Sequence, residues 1–124
     1  MQTSYYRARD GWHGRTVIKL PGQRQLVIHT YKPLQGRSLQ TSATVWQVDE
    51  GGHVRHRMGF GRGGDYSERV AHTQPARITE KQVREQHEQV LSRAQVIVAD
   101  VNAFYARANT MAQSSQPVAP AAAA

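Results

Sequence analysis

Residues 53–66, HVRHRMGFGRGGDY, combine side chains that can bind anions with a run of glycines. Arg55, His56 and Arg57 are consecutive, and four glycines follow between positions 59 and 64. Guanidinium groups bind phosphate oxygens well, and a glycine-rich backbone can turn its N–H groups towards an anion. The stretch is therefore the first candidate binding element. The alternative is a solvated strand that ends in a turn, since charges on an edge strand also prevent aggregation.

Three of these glycines, Gly59, Gly61 and Gly64, match the pattern G-x-G-x-x-G. In a dinucleotide-binding fold that loop opens directly into a helix, whose N-terminus binds the pyrophosphate. Here the next helix signal is at Thr79, about 15 residues later, and no G-K-[ST] occurs. We therefore expect a glycine-rich bend, with Arg62 able to reach phosphates, and no nucleotide cofactor.

Six histidines raise the question of a metal site. No H-x-x-x-H or H-E-x-x-H spacing occurs, and there is no cysteine. His53 and His56 would point to opposite faces of a strand, and His87 lies alone on a helix stripe. We expect His87 to be a hydrogen-bonded core or interface residue, and we expect no metal site.

Catalysis has little support in the sequence. Asp65, Ser67 and His72 are near one another in the chain, but no nucleophile elbow or acid pair surrounds them. Surface polarity explains these positions without chemistry. We therefore expect no catalytic residue, no cofactor and no enzymatic activity.

The positive charge is concentrated in the first half of the chain. The 124 residues carry a net charge of +7. Residues 1–62 hold ten Lys or Arg against three acids, whereas residues 63–124 hold six of each. All the excess charge therefore belongs to the first half. This asymmetry is typical of a surface that meets a polyanion, although solubility alone also favours a nonzero net charge.

Strand patterns dominate that half. β-branched and alternating segments, separated by turn signals such as Pro21-Gly22, predict strands at residues 16–20, 25–31, 39–48 and 53–60. Residues 66–71 are an ambiguous fifth. The short connections favour antiparallel neighbours in a meander. Residues 1–14 have no clear period, and we expect them to form an N-terminal arm.

One helix is predicted over residues 79–109. Thr79 has the position of an N-cap, with Gln82 as its capping-box partner. Apolar residues then recur at steps of four and three, with His87 as the only polar member of the stripe. The Ala/Pro/Ser-rich residues 110–124 are expected to be disordered. The prediction is an α+β fold: a four- to five-stranded antiparallel meander, then one long helix packed on one face, in a single domain over residues 15–109.

The helix is longer than the sheet that should cover it. Thirty-one residues of straight helix measure roughly 46 Å, and an eight-residue strand spans about 27 Å. The distal part of the stripe would then be exposed, which favours a homodimer. The expected interface residues are Val90, Ala94, Ile97, Val101, Phe104 and Tyr105. A helix that bends, or ends early and folds back, is the alternative.

These patterns favour a small, non-enzymatic nucleic-acid-binding protein, with single-stranded DNA or RNA preferred to duplex. If Trp46 shares a face with Arg55 and Arg57, that face combines an aromatic platform with cations. The predicted binding residues are Arg55, Arg57, Arg62, Trp46, Lys19, Arg24, Lys32 and Arg37, and Tyr31 or Phe60 could add stacking. The outline resembles small ββββα single-strand-binding modules in architecture, without a shared motif.

The alternative function is a protein-interaction, assembly or inhibitor module that docks through the amphipathic helix, with an acidic protein as the partner of the positive charge. We expect no membrane partner, because no apolar run approaches 18 residues. The N-terminus lacks the apolar core of a signal peptide, and cysteine is absent. Both observations favour the cytoplasm.

Overall fold

Six antiparallel strands and then two helices follow one another in a computed structural model that describes residues 1–59 and 69–115. The strands are β1 (Gln2–Ala8), β2 (Gly11–Leu20), β3 (Arg24–Tyr31), β4 (Leu39–Val48), β5 (Val54–Met58) and β6 (Arg69–Thr73). The helices are α1 (Glu80–Leu91) and α2 (Ala94–Ser115). The predicted α+β class, with strands first and helix last, is confirmed.

The sheet is a meander in which β4 has two partners on one edge. The order is β1-β2-β3-β4-β5, and β6 also pairs with β4. Because β4 has ten residues and β5 only five, β5 covers residues 45–48 and leaves residues 39–42 for β6. Residues 69–71 of the ambiguous segment belong to β6, and residues 66–68 lie outside the described residues. This strand pairs with β4 and not with β5, its neighbour in sequence.

The N-terminal segment differs from the expected arm. Residues 1–14 contribute β1 and the first part of β2, which pair in register from Gln2↔Val17 to Ala8↔Gly11. Two alternate side chains of β1 face the helices. The Thr3 hydroxyl lies 2.8 Å from that of Thr16, and the Tyr5 ring packs edge-on against His87. The aromatic residues of this segment therefore order it as an edge strand.

The helical segment contains a break that the periodicity did not predict. The Thr79 side chain accepts from the Gln82 N–H as expected of the N-cap, but α1 ends at Leu91. The Arg93 N–H then bonds the Val90 carbonyl at 2.9 Å, and Ser92 Oγ donates to the Gln89 carbonyl. These bonds tighten the chain for two residues before α2 begins. The structure thus has two consecutive helices where the sequence predicted one.

The residues of the predicted dimer interface are buried within this chain. Val90 and Val101 are fully buried in this chain's own core, and Ala94, Ile97 and Tyr105 are at most 8% exposed. Phe104 packs against the same cluster. These side chains lie in the core between the helices and the sheet. A homodimer stays a prediction, without this interface.

A buried chain of hydrogen bonds joins α1 to the sheet. Its members, in order, are Gln86, Thr41, Thr30, His87, Thr16 and Thr3, at 2.7–2.9 Å. The Gln86 amide donates to Thr41, and a neutral His87 ring bonds Thr16 and Thr30 with one nitrogen as donor and the other as acceptor. Burial lowers the pKa of His87 to about 4, which keeps the ring neutral. The expectation of a hydrogen-bonded core histidine is confirmed.

The end of the chain also differs from its expected boundary. Helix α2 continues to Ser115, because residues 110–115 contain no glycine or proline and can extend it. The predicted boundary at residue 110 therefore lies inside a helix. Within the described part of the chain, no helix is both long enough and apolar enough to cross a membrane.

Candidate functional site

The helices cover one face of the sheet and leave the other open. Leu26, Ile28 and Val45 belong to the core under the helices. Because side chains alternate along a strand, their neighbours such as His29 and Trp46 lie on the opposite side. We call that side the open face.

Four residues in register form a row across the open face. The pairings Lys19↔Gln25, Gln25↔Trp46 and Trp46↔Arg57 place them on four adjacent strands. Three inter-strand gaps make the row about 14 Å long. Lys19 and Arg57 are exposed and Trp46 is half-buried. We call these residues the basic row. It brings together three of the predicted binding residues, and Trp46 shares a face with Arg57.

A bulge changes the faces of the first β5 residues. Gln47 pairs with His56, but Val48 pairs with Val54, so Arg55 is an extra residue in the ladder. Strict alternation would place Val54 with Met58 on the helix side. The bulge shifts Val54 by one position instead, and Val54 lines a cavity of the open face.

Arg55 is held in the β4–β5 turn. Its Nη2 lies 2.9 Å from Asp49 Oδ2. The backbone N–H of His53 donates to the other oxygen of Asp49 at 2.8 Å, and this bond holds the pKa of Asp49 below its ordinary value. Arg55 therefore lies opposite an ionised carboxylate, and its charge is partly balanced.

Aromatic and imidazole rings from three strands stack beside one another on the open face. The centroid distances are 5.0 Å from Tyr6 to His13, 5.1 Å from His13 to His29 and 4.6 Å from His29 to Tyr31. The rings are within 22° of parallel at each step. We call these four residues the ring stack. It presents flat apolar surfaces of the kind on which bases stack.

A carboxylate orients the two histidines of the ring stack. Asp10 Oδ1 accepts from His13 Nε2 at 2.7 Å, which lowers the pKa of Asp10. His13 Nδ1 lies 2.9 Å from His29 Nε2. One of these two nitrogens donates and the other accepts. Burial, and then the neighbouring His13, lower the pKa of His29 to about 4.

A shallow cavity of about 350 Å³ lies between the basic row and the ring stack. Two apolar residues, Val27 and Val54, line it. The other lining residues are Arg15, His29, Tyr31, Ser42, Thr44 and Trp46. Trp46 Nε1 donates to Thr44 Oγ1 at 3.2 Å, which steadies the indole. The cavity thus combines a guanidinium, two hydroxyls and three rings.

The remaining predicted binding residues do not join this site. Arg24 lies 4.0 Å above the Tyr105 ring on the helix side. Lys32 and Arg37 line a separate hollow with Pro75. Lys32 is seven residues beyond Gln25, about 23 Å along the strand. Arg62 and Phe60 are outside the described residues.

Several members of the open face escaped the sequence patterns. Arg15 and His13 were missed because the first predicted strand, which corresponds to β2, was expected to start at Thr16. Tyr6 was missed because it lay in the expected arm. The alternation of β3 does place His29 with Tyr31, so that signal was present. The stacking itself depends on register between strands, which local patterns do not contain.

The strands and the helices differ in the charges that they carry. The six described strands contain no Asp or Glu, and their cations are Arg7, Arg15, Lys19, Arg24, Arg55, Arg57 and Arg69. The described helices carry the acids Glu80, Glu85, Glu88 and Asp100. The sheet layer is therefore the positive side of the molecule.

Within residues 1–59 and 69–115, no three His, Cys, Asp or Glu side chains lie close enough to hold a metal ion. Comparisons with protein-family models, with curated protein sequences and with solved structures find no match to this chain. The open face is therefore the feature of this chain from which a function can be inferred.

Proposed function

We propose that this protein binds single-stranded nucleic acid, DNA or RNA, across the open face and catalyses no reaction. The observation that carries the proposal is the basic row, in which Lys19 and Arg57 flank Trp46 on a face that the helices leave uncovered. Single-strand-binding proteins use this combination of cations for phosphates and aromatic rings for bases.

Phosphate contact is assigned to Lys19, Arg57 and Arg15. All three are exposed, and alternation along their strands places them on the open face. Each phosphate that these residues neutralise releases counterions, so affinity should fall steeply as salt rises.

Base contact is assigned to Trp46, with Tyr31 of the ring stack as a second platform. Stacking on an aromatic ring tolerates any base, so this arrangement favours broad recognition of single strands. The proposed setting is the cytoplasm.

The alternative, a protein-docking module that uses the helix stripe, has less support. Val90, Ile97 and Val101 pack against this chain's own sheet and offer no surface to a partner. An acidic protein on the open face would use the same cations as a nucleic acid, and a competitor in the binding assay separates the two.

Fluorescence anisotropy tests the proposal with labelled single-stranded DNA, single-stranded RNA and duplex DNA across a salt series. We expect the single strands to bind most tightly, with a steep salt dependence. Replacing both Lys19 and Arg57 by alanine should weaken single-strand binding by about tenfold or more and reduce the salt slope by about two.

The matched control removes two cations from the helix layer, through Arg93→Ala and Arg107→Ala. Both side chains are exposed, and the loss of charge is the same. If the control weakens binding as much as the Lys19/Arg57 pair, the affinity reflects net charge, and the site assignment is wrong. Equal affinity for heparin and for nucleic acid would contradict the proposed function.

A further inference from the structure

We infer that the cavity of the open face is a pocket for one unstacked base of the bound strand, so that the protein selects single strands through a base and not through phosphates alone. This inference rests on the proposed function. It goes beyond it by assigning a ligand subsite to the space between Trp46 and His29.

The size of the cavity suits a small planar group. Its volume of about 350 Å³ is at the lower end of the range for pockets that hold small molecules. Trp46 lies opposite Gln25, and His29 is four residues further along β3, about 13 Å away. A single heterocycle therefore fits beside either ring, over the apolar side chain of Val27.

The polar groups of the cavity match a base and its phosphate. Ser42 lies directly across the ladder from His29, and its hydroxyl can donate or accept. Because His29 Nε2 bonds His13, Nδ1 is the ring nitrogen of His29 left for a hydrogen bond with a base. Arg15 pairs with His29 on the other side and supplies a cation for the adjoining phosphate.

The pocket explains a preference for single strands. In a duplex the bases are stacked and paired, whereas single strands can turn a base out and place it against an aromatic ring. A duplex could meet the cations of the open face but could not fill the cavity. The difference in affinity between the two forms should then come from the base.

The test uses the full chain and labelled single-stranded DNA of one length, either normal or with abasic residues in place of bases. Wild-type protein should bind the normal strand about tenfold more tightly than the abasic strand, since each stacked base adds strongly to affinity. Ser42→Phe places a large side chain in the cavity without changing charge. It should lower affinity for the normal strand and leave affinity for the abasic strand unchanged.

Gln40→Phe is the matched control, because Gln40 is two residues away on the same strand and face and does not line the cavity. It should leave both affinities unchanged. Circular dichroism and thermal melting establish that each variant is folded, and a Trp46 fluorescence titration with a nucleoside monophosphate gives a second readout for a variant of reduced stability.

The outcomes separate this inference from the function on which it rests. If normal and abasic strands bind equally tightly and with a steep salt slope, the base pocket is wrong and strand binding stands. If Ser42→Phe and Gln40→Phe weaken binding equally, the pocket is also wrong. If wild-type protein binds neither strand, the proposed function fails, and the pocket fails with it.

Discussion

Gly14 sets the distance between the first strand and the helix layer. A Cβ built at this position would lie 2.9 Å from the Tyr5 ring and 3.1 Å from the His87 ring. Glycine therefore allows the edge-on contact of Tyr5 with His87, which holds β1 against α1. The Arg84 guanidinium lies 4.1 Å above the centre of the Tyr5 ring and strengthens the same contact.

Gly14→Ala should therefore destabilise the fold by about 1–3 kcal/mol, because overpacking forces these rings apart. The measurement is urea denaturation followed by circular dichroism. Gly59→Ala is the matched control, since nothing lies within 4 Å of a Cβ at that position. Equal stability of the two variants would show that the Tyr5 and His87 rings can move apart without lowering the free energy of unfolding.

The buried histidines make stability depend on pH. His87 and His29 both have a pKa of about 4 in the folded protein, below the value of about 6.5 expected in the unfolded chain. As pH falls, the unfolded chain therefore takes up protons first. Stability is present above pH 6.5 and is lost progressively towards pH 4.

For His87 alone the loss should be on the order of 2–3 kcal/mol at pH 4. Urea midpoints measured between pH 7 and pH 4.5 give the slope. His29→Gln should reduce this slope, because it removes one of the two buried imidazoles. A wild-type midpoint that does not move over this range would contradict the buried, neutral state of both rings.

At the scale of elements, the start of α1 is set by its cap. The Thr79 side chain accepts from the Gln82 N–H and also donates to the Gln82 side chain. The bond between Thr73 and the Gln86 side chain adds a link from β6 to the same helix. The cap thus places Gln86 and His87 over the threonines of the sheet.

Thr79→Ala should cost about 1 kcal/mol, the usual effect of losing an N-cap. Thr110→Ala provides the comparison, because Thr110 bonds only the Ala106 carbonyl within an exposed turn of α2. Urea denaturation curves of the two variants give the free energy of unfolding that each substitution removes. A loss at Thr110 as large as that at Thr79 would mean that the cap adds nothing specific.

At the scale of the whole molecule, the helices pack on one face of the sheet, and the proposed binding surface lies on the other. The helical stripe packs in the core of its own chain, while the described strands carry cations and no acid. This division leaves the open face available to a ligand.

Val101→Ala should lower the free energy of unfolding by about 2 kcal/mol, because Val101 is fully buried. Val96→Ala on the same helix should change it by less than about 0.5 kcal/mol, since Val96 is 62% exposed. Both values should be independent of protein concentration. A midpoint that rises with concentration would point instead to a stripe shared between two chains.

Much of the architecture could be predicted locally. The turn at Pro21-Gly22, the β-branched runs and the alternation of β4 identify the central strands, and Thr79 marks the start of α1. These signals depend on residues within a few positions of one another. The same local reasoning failed for β1, whose order depends on Tyr5 meeting a helix 82 residues later in the chain.

The candidate site could be predicted only in part. Alternation identified Trp46 and Arg57 as members of β4 and β5, and the charge asymmetry indicated the sheet. Arg24, however, packs on Tyr105, and Arg55 pairs with Asp49, although both resemble the other cations in sequence. A cation's partner is chosen by the fold, so charge counted along the chain does not locate a binding surface.

By itself, then, the sequence determined the strand-then-helix order, the N-cap and the concentration of positive charge, because periodicity, turn chemistry and composition act locally. Only the tertiary structure decided which face is open, where β5 bulges and which rings stack. Those features follow from register between strands and from the packing of the helices on the sheet. Register and packing join residues far apart in the chain, and their outcome appears only when the layers meet.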